Sequence, residues 1–271
     1  MRVYEAIGET LKKLEVQATF GLMGDGNLRF MTYLAEELGI PYYAAGHEGG
    51  AVGMADGYAR VTGRVGVCSV TQGPGVTNTL TALTEARKAS TPMLLLAGET
   101  AARILRHNQD VDQSAIFKSI GVTVARVRSA ETLMIDLTRA FNQALAAQQP
   151  IAISIPTDMQ TLECDADGLA AVAAQTSTPS RPPAEEIRRA VEFIAASKRP
   201  AILAGRGAVR SNAKEALERL AEQIGALLAT TAQAKGLFAG NPFSVGGSGG
   251  FAWDLGERLL PQADLILAFG A

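Results

Sequence analysis

Short apolar segments alternate with helical segments from Ala18 to Ile155, and this alternation limits the folds that are open to the chain. Parallel βαβ units with right-handed crossovers satisfy it, because each helix of about 10–15 residues returns the chain to the start of the next strand. We therefore predict an α/β fold with a doubly wound parallel sheet. The predicted strands are Ala18–Met23, Pro41–Ala45, Val65–Val70, Pro92–Ala97, Val122–Val127 and Ile151–Ile155.

Helical spacing of apolar residues places helices between these strands. The opening helix carries Val3, Ile7, Leu11 and Leu14 on one face. A second helix follows Gly24-Asp25-Gly26-Asn27 and presents Leu28, Met31, Leu34 and Leu38. The remaining predicted helices are Glu48–Thr62, one that follows Gly75, and Glu131–Ala146.

The pattern breaks between Pro156 and Pro183, where Asp, Ser, Thr and Pro predominate as they do in linkers. We predict a first domain over residues 1–165, a linker over 166–185 and an incomplete, Rossmann-like central α/β domain over 186–271. The second domain should contain a helix from about Ala184. Its other predicted elements are the strands Pro200–Ala204, Ala226–Thr230 and Asp264–Phe269 and the helix Asn212–Ile224.

The last predicted strand is followed only by Gly270-Ala271, without the crossover helix that should cover it. We therefore expect the chain to be a fragment, or the first part of a longer protein.

The composition and charge of the chain argue against several classes of partner. The 271 residues are 47% hydrophobic and carry a net charge of −2 with acids and bases interspersed, which argues against nucleic acid or an anionic membrane as a partner. No apolar run approaches the roughly 20 residues that span a bilayer, and the N-terminus lacks a signal-peptide pattern. Two cysteines give no disulfide framework. We expect a cytoplasmic protein.

The stretch from Gly46 to Asn78 contains the residues that are best suited to catalysis or ligand binding. Glu48 stands at a predicted helix start, and Gly73-Pro74-Gly75-Val76-Thr77-Asn78 follows the next strand. We expect both at the carboxyl edge of adjacent strands, where open α/β sheets bind ligands. Glu48 is either a carboxylate stabilised by the helix dipole or a group that shares a proton with a ligand nitrogen.

Three glycine motifs have a structural and a functional interpretation. The turn from Gly73 lacks the last glycine and the downstream acid of a dinucleotide fingerprint. Gly24-Asp25-Gly26 is interpreted as a turn with Asn27 capping the next helix rather than as a metal–diphosphate motif, since no Asn stands in the required place near Ala51–Ala55. Gly205-Arg206-Gly207 is either a tight turn or an anion site at a helix N-terminus.

Other catalytic signatures are missing from the sequence. His47 and His107, the only histidines, do not stand at zinc-ligand spacing from Cys or Asp, and no Gly-x-Ser-x-Gly elbow or P-loop is present. We predict no metal ligands in this chain. A non-catalytic α/β binding or regulatory module and a nucleotide-binding oxidoreductase are the alternatives that the residues leave open.

Taken together, these motifs resemble the thiamine-diphosphate-dependent enzymes, in particular the acetolactate synthase and benzoylformate decarboxylase group. The resemblance covers nearly the whole chain and is most specific between residues 46 and 99. In the first domain it rests on His47-Glu48-Gly49-Gly50-Ala51, Gly57-Tyr58-Ala59-Arg60, Thr71-Gln72-Gly73-Pro74-Gly75-Val76-Thr77-Asn78, Ala89-Ser90-Thr91-Pro92, Gly98-Glu99 and Val111-Asp112-Gln113. In the second domain it rests on Arg199-Pro200, Gly205-Arg206-Gly207, Lys235-Gly236 and Ala263-Asp264-Leu265.

The resemblance implies roles for individual residues. Glu48 would hydrogen-bond N1′ of the cofactor's aminopyrimidine and activate it for formation of the C2 ylide, while Pro74 and Asn78 would line the pyrimidine pocket. Gln109 would lie near the substrate, and Gly24 would belong to a loop over the active site. That loop reads Met23-Gly24-Asp25 here, in place of the family's apolar or proline-containing version.

The resemblance also implies partners. The cofactors would be thiamine diphosphate and Mg²⁺, the latter bound by a C-terminal domain outside this chain. FAD on the central domain is an alternative that Ser248-Gly249-Gly250-Phe251 does not favour. The substrate would be a 2-keto acid, decarboxylated or joined to a second molecule. The site would form between the subunits of a homodimer or homotetramer, and residues 1–271 alone would be inactive.

Overall fold

The computed structural model describes residues 1–101, 103–104, 106–175 and 180–271. The chain forms two compact units, Met1–Thr178 and Pro179–Ala271. None of the helices within the described residues is long and apolar enough to cross a membrane.

The first unit is built on a six-stranded parallel sheet, which confirms the predicted α/β fold. Its strands lie in the order β2-β1-β3-β4-β6-β5. They are β1 (Thr19–Gly21), β2 (Tyr42–Ala44), β3 (Gly66–Val70), β4 (Met93–Glu99), β5 (Thr123–Arg126) and β6 (Pro150–Pro156).

Helices cover both faces of this sheet, as a doubly wound fold requires. Alternate residues of β4 enter two separate apolar cores: Leu94 and Leu96 lie in one, and Met93, Leu95 and Ala97 in the other. The helices are α1 (Val3–Lys13), α2 (Leu28–Thr32), α3 (Glu48–Thr62), α4 (Pro74–Thr77), α5 (Leu80–Lys88), α6 (Gln113–Ser119) and α7 (Leu133–Ala147).

The helix α3 has the predicted bounds, because a histidine cap precedes it and Gly63 ends it in a left-handed conformation with φ 72°. Other helices differ from expectation. The helix expected after Gly75 is divided into α4 and α5, and α6 was not predicted. The helix α2 continues as a π-helix over Tyr33–Glu37, and Leu28, predicted to face the core, is 49% exposed.

The prediction that Glu48 and the glycine turn follow adjacent strands is wrong. The strand β1 lies between β2 and β3 and pairs with both. The order of the strands along the chain does not predict that β1 lies between β2 and β3, because a βαβ crossover can pass over one strand position in the sheet. The helix α3 nevertheless contacts α5, and Arg60 ties them by ion pairs to Asp56 of α3 (2.7 Å) and Glu85 of α5 (3.1 Å).

The second unit contains a four-stranded parallel sheet in the order β10-β7-β8-β9. Three of its strands were predicted, whereas β9 and α11 were not, and the predicted helix over 212–224 is preceded by a separate short helix. The strands are β7 (Pro200–Ala204), β8 (Leu227–Thr230), β9 (Ser244–Gly247) and β10 (Leu265–Phe269). The helices are α8 (Ala184–Ala196), α9 (Arg206–Arg210), α10 (Lys214–Ile224) and α11 (Asp254–Leu259).

Residues 166–175, which fall within the predicted linker, belong to the first unit. A short 3-10 turn over Asp167–Ala171 receives a hydrogen bond from Lys13 Nζ to the Leu169 carbonyl at 2.6 Å. Val172 is buried in the core that contains α1 and α7. Residues 166–175 are therefore packed into the first unit, whereas residues 180–185 belong to the second.

Candidate functional site

Four loops meet at the carboxyl edge of the first sheet. They follow β1 (residues 24–27), precede α3, follow β3 (residues 71–73) and continue from the end of β4. Parallel strands all end at this edge, so polar residues that are distant in sequence come together there.

Glu48 occupies the first turn of α3 and is only 8% exposed. His47 caps the helix by accepting a hydrogen bond from the Gly49 amide at 3.0 Å. The Glu48 Oε2 atom accepts a hydrogen bond from Asn78 Nδ2 at 2.9 Å. Oε1 has no hydrogen-bond donor among the described residues, so one carboxylate oxygen is fixed and the other is available to a ligand.

The turn after β3 is held in a conformation that only glycine adopts readily. Gly73 has φ 59° and ψ −112°, outside the regions allowed to residues with a Cβ. A Cβ at this position would also lie 2.0 Å from the Gln109 carbonyl oxygen. Pro74 then begins α4, where its missing N–H costs nothing, and the helix delivers Asn78 to Glu48.

Gly24 lies against the same turn, because a Cβ added there would be 2.9 Å from Thr71 Cβ. The Gly26 amide donates to Thr71 Oγ1 at 3.1 Å. Asn27 does not cap α2 as predicted: its Oδ1 accepts from the Gly24 amide at 2.8 Å, and its Nδ2 donates to Ser69 Oγ at 2.9 Å. The side chain is fully buried, so it closes the loop onto β3 rather than capping a helix.

The structure therefore brings the sequence-predicted residues to one edge. Glu48 contacts Asn78, Pro74 begins α4 and Asn78 directly follows it, and Gly24 packs on Thr71. Gln109 reaches the group through its backbone carbonyl, which lies behind Gly73. No described contact joins the Gln109 side chain to Glu48.

Sequence reasoning missed Gln113, the first residue of α6. It is 3% exposed, accepts a hydrogen bond from the Gly73 amide, and donates to the Gly98 carbonyl and to Ser154 Oγ. Gln113 was quoted within a family-like motif, but its partners lie on three other segments that sequence alone does not bring together.

Glu99 ends β4 beside these loops. Burial raises the pKa of the Glu99 carboxyl, and the nearby Asp110 and Asp112 raise it further, whereas Arg126 acts in the opposite direction. No described residue donates a hydrogen bond to the carboxylate. The edge thus carries a half-buried acid whose charge is only partly compensated.

The arrangement fits one side of a planar, nitrogen-containing cofactor. Glu48 Oε1 accepts no hydrogen bond from the described residues, although the residue as a whole is only 8% exposed. Gly75 lies beside this oxygen, since a Cβ there would be 3.5 Å from Oε1 and 2.9 Å from Thr71 Cγ2. A carboxylate so placed can hold or release a proton at a ligand nitrogen. Within the residues that the structure describes, no group of three His, Cys, Asp or Glu side chains could hold a metal ion.

The second unit contains a cavity of about 610 Å³ at the carboxyl ends of β8 and β9. Its lining includes Thr230, Lys235, Ser248, Phe251 and Trp253. The loop Gly205-Arg206-Gly207 does not line it. A Cβ at Gly205 would clash with the Gly270 carbonyl oxygen at 2.1 Å, which supports the tight-turn interpretation of that motif.

Two family models match the chain. Residues 1–116 match the N-terminal TPP-binding domain of thiamine pyrophosphate enzymes, and residues 187–271 match the central domain of the same enzymes. The first match includes the five predicted active-site residues, which are Gly24, Glu48, Pro74, Asn78 and Gln109.

Curated relatives agree with these matches. The chain is 31% identical to the acetolactate synthase large subunit of Corynebacterium glutamicum over 98% of its own length and 44% of the relative's. It is 36% identical to a probable 2-ketoarginine decarboxylase of Pseudomonas aeruginosa (98% and 48%) and 30% identical to a sulfoacetaldehyde acetyltransferase of Rhodobacter capsulatus (100% and 46%). The chain thus spans slightly less than half of these relatives. It belongs to the thiamine pyrophosphate enzymes and carries their N-terminal and central domains.

Proposed function

We propose that residues 1–271 supply the pyrimidine-binding side of the active site of a thiamine-diphosphate-dependent enzyme that decarboxylates or ligates a 2-keto acid. The observation that carries this proposal is the state of Glu48, which is buried and fixed by Asn78 through Oε2, and whose Oε1 accepts no hydrogen bond from the described residues. Oε1 would hold or release a proton at N1′ of the aminopyrimidine, which is the role expected from the family resemblance.

The other site residues shape this pocket. Asn78 orients the Glu48 carboxylate, and Pro74 and the Gly73 turn present backbone beside the ring. Gly24 places its loop on Thr71, at the side where a substrate would enter. Gln109 supports Gly73 from behind through its carbonyl, and its side chain is proposed to face the substrate.

Bound thiamine diphosphate supplies the carbon chemistry, whereas this chain binds and orients the ring and shares a proton with it. We propose that the diphosphate and Mg²⁺ are held outside residues 1–271. The proposed domains are a cofactor domain over 1–165 and a central domain over 186–271, joined by residues 166–185, of which residues 166–175 pack into the first unit. FAD stays a less favoured occupant of the central domain.

A second copy of the chain is the proposed partner of α3. The outer face of this helix combines Gly50, Gly53 and Gly57 with the exposed apolar residues Met54 and Val61. A Cβ at Gly53 or Gly57 would meet no atom of the described residues within 4 Å, so packing within that part of the chain does not account for these two glycines. A closely packed neighbour beside Glu48 would explain them and would exclude water from the site.

The free cysteines suit the cytoplasm as the compartment.

One observation favours a 2-keto acid with a cationic side chain as substrate. The Glu99 side chain is half-buried, its carboxylate accepts no hydrogen bond from the described residues, and it lies near Asp110 and Asp112. The relative at 36% identity is named a probable 2-ketoarginine decarboxylase, so its named substrate carries a guanidinium group. A guanidinium would pair with Glu99 and offset the surplus of negative charge.

Product analysis of the intact protein tests both statements. Cofactor-free protein is incubated with pyruvate, 2-oxo-5-guanidinopentanoate or 2-oxoisocaproate, with and without thiamine diphosphate and Mg²⁺. Turnover of a 2-keto acid that requires the added cofactor is expected, and its absence for every substrate would contradict the proposed function. A kcat/KM at least about tenfold higher for the guanidino acid, reduced in Glu99→Gln, is expected for the cationic substrate; equal values would refute that preference.

A further inference from the structure

We propose that Gln113 is a positioning residue that sets the Gly73 turn, and through it the Glu48–Asn78 pair, for the cofactor ring. This inference rests on the proposed function. The Gln113 Oε1 atom accepts from the Gly73 amide at 2.8 Å, and Nε2 donates to the Gly98 carbonyl at 2.9 Å and to Ser154 Oγ at 3.2 Å.

These three hydrogen bonds use both amide protons and the amide oxygen of one buried side chain. An apolar residue of the same length would leave the Gly73 amide and the Gly98 carbonyl unpaired where water has little access, and each unpaired group costs about 1–3 kcal/mol. A carboxylate would accept from Gly73 but could not donate to Gly98. Glutamine therefore pairs with both the Gly73 amide and the Gly98 carbonyl, which neither an apolar residue nor a carboxylate would do.

The position of Gly73 determines where Asn78 lies. Gly73 caps α4, a helix of only four residues, and Asn78 follows its last residue. Such a short helix has little stability of its own, so its direction depends on how its first residues are anchored. The Gly73 amide bonded to Gln113 and the Gln109 carbonyl behind Gly73 form this anchor. Loss of the anchor would shift Asn78 and release the Glu48 oxygen that it fixes.

The same side chain also anchors the opposite wall of the site. Gly98, which accepts from Gln113, lies so close to Gly26 that a Cβ at residue 98 would be 2.5 Å from the Gly26 Cα. Gln160 holds this first loop from another direction by donating to the Gly26 carbonyl at 2.7 Å. Gln113 thus connects the Gly73 turn to the end of β4, against which the loop over residues 24–27 packs.

The test compares Gln113→Met with Asn142→Leu in the intact protein. Asn142 is a matched control because its amide also fixes a loop by one donated and one accepted bond, to the Ala173 carbonyl and from the Gln175 amide. Their chain neighbours Phe141 and Ala174 line a cavity together with Val65, which precedes β3 at the amino edge of the sheet. Calorimetry gives the Kd for thiamine diphosphate, and exchange of the cofactor's C2 proton at saturation reports on ring activation.

Gln113→Met is expected to raise the Kd at least about tenfold and to slow C2 exchange at saturating cofactor. Asn142→Leu is expected to change both values less than twofold, even where the two variants lose similar amounts of melting temperature. A Gln113→Met protein with wild-type Kd and exchange would overturn the inference. Wild-type protein that binds no thiamine diphosphate would instead refute the proposed function.

Amide hydrogen exchange of the wild-type apoprotein tests the anchor without a substitution, so it decides the matter if Gln113→Met fails to fold. The Gly73 amide is expected to be protected at least about 100-fold relative to an open loop. Exchange at the rate of an open loop would overturn the inference.

Discussion

Glu48 and Asn78 show what single residues reveal before a fold is known. A carboxylate at a helix start and an amide at the end of a glycine turn were each identifiable from local sequence. Their 2.9 Å hydrogen bond joins residues that are 30 positions apart. The bond fixes the position of Glu48 Oε2. The other carboxylate oxygen, Oε1, accepts no hydrogen bond from the described residues.

At the same scale, Gly73→Ala is predicted to destabilise the first unit and weaken cofactor binding. The substitution forces a Cβ into a conformation with φ 59° and against the Gln109 carbonyl. The free energy of unfolding should fall by about 1–3 kcal/mol, the usual range for such strain, as measured by urea denaturation. Calorimetry should show a Kd for thiamine diphosphate at least about tenfold higher.

Gly225→Ala is the control for this prediction. Gly225 also has a positive φ of 69°, but a Cβ there meets no atom within 4 Å. It should lose about 1–2 kcal/mol from backbone strain alone and keep wild-type cofactor binding. Equal cofactor affinity in Gly73→Ala and Gly225→Ala would contradict the role of the turn.

Gln113 marks the limit of residue-level prediction. A glutamine at the start of a short helix has no pattern that distinguishes it from a surface residue. Its role depends on Gly73, Gly98 and Ser154, which are 15 to 41 positions away. Such a residue becomes identifiable only when the sheet places its partners around it.

At the scale of elements, the sequence predicted those whose ends are marked by local chemistry. The bounds of α3 and β7 were predicted correctly, because a capping residue, a glycine or a proline marks their ends. The short elements α6, β9 and α11 were missed, since four to seven residues carry too little periodicity. Local sequence also could not predict the strand order, because tertiary pairing places β1 between β2 and β3.

The start of β10 offers an electrostatic test at this scale. Asp264 precedes the strand and accepts hydrogen bonds from Ser197 Oγ and the amides of Lys198 and Arg199, just before β7. These hydrogen bonds lower its pKa to about 2. A lowered carboxyl pKa stabilises the folded state above the unfolded value near 3.9, and this stabilisation is lost as the pH falls toward 2.

Asp264→Asn is therefore predicted to melt at a lower temperature than the wild type at pH 7. The difference should shrink as the pH falls from about 4 toward 2, where the wild-type carboxylate also becomes protonated. Thermal scans monitored by circular dichroism across this range provide the measurement. A difference that is independent of pH would mean that the charge of Asp264 plays no part.

At the scale of the whole molecule, the outer face of α3 is the feature that one chain does not explain. Gly57→Leu should not destabilise the isolated fold, because the added side chain points into open space and helix propensity improves. It should weaken self-association if a second copy packs there. Light scattering at several concentrations would show a lower average mass for Gly57→Leu than for the control Lys118→Leu on α6. An unchanged mass would contradict the proposed interface.

The family relationship also sets what the chain can do as a whole. The site at the carboxyl edge offers a carboxylate and a shaped turn, and the described residues offer no metal-binding group of three acidic, histidine or cysteine side chains. The function proposed for these residues is activation of the cofactor ring by Glu48.

Exchange of the thiazolium C2 proton for deuterium in the intact protein, followed by NMR after rapid quench, tests that claim most directly. Glu48→Gln keeps the size of the side chain but cannot hold the proton, so its exchange rate should fall at least about 100-fold, within the range of proton-transfer catalysis. The control Glu222→Gln, on α10 of the second unit, should exchange at the wild-type rate. Wild-type exchange in Glu48→Gln with bound cofactor would contradict the account.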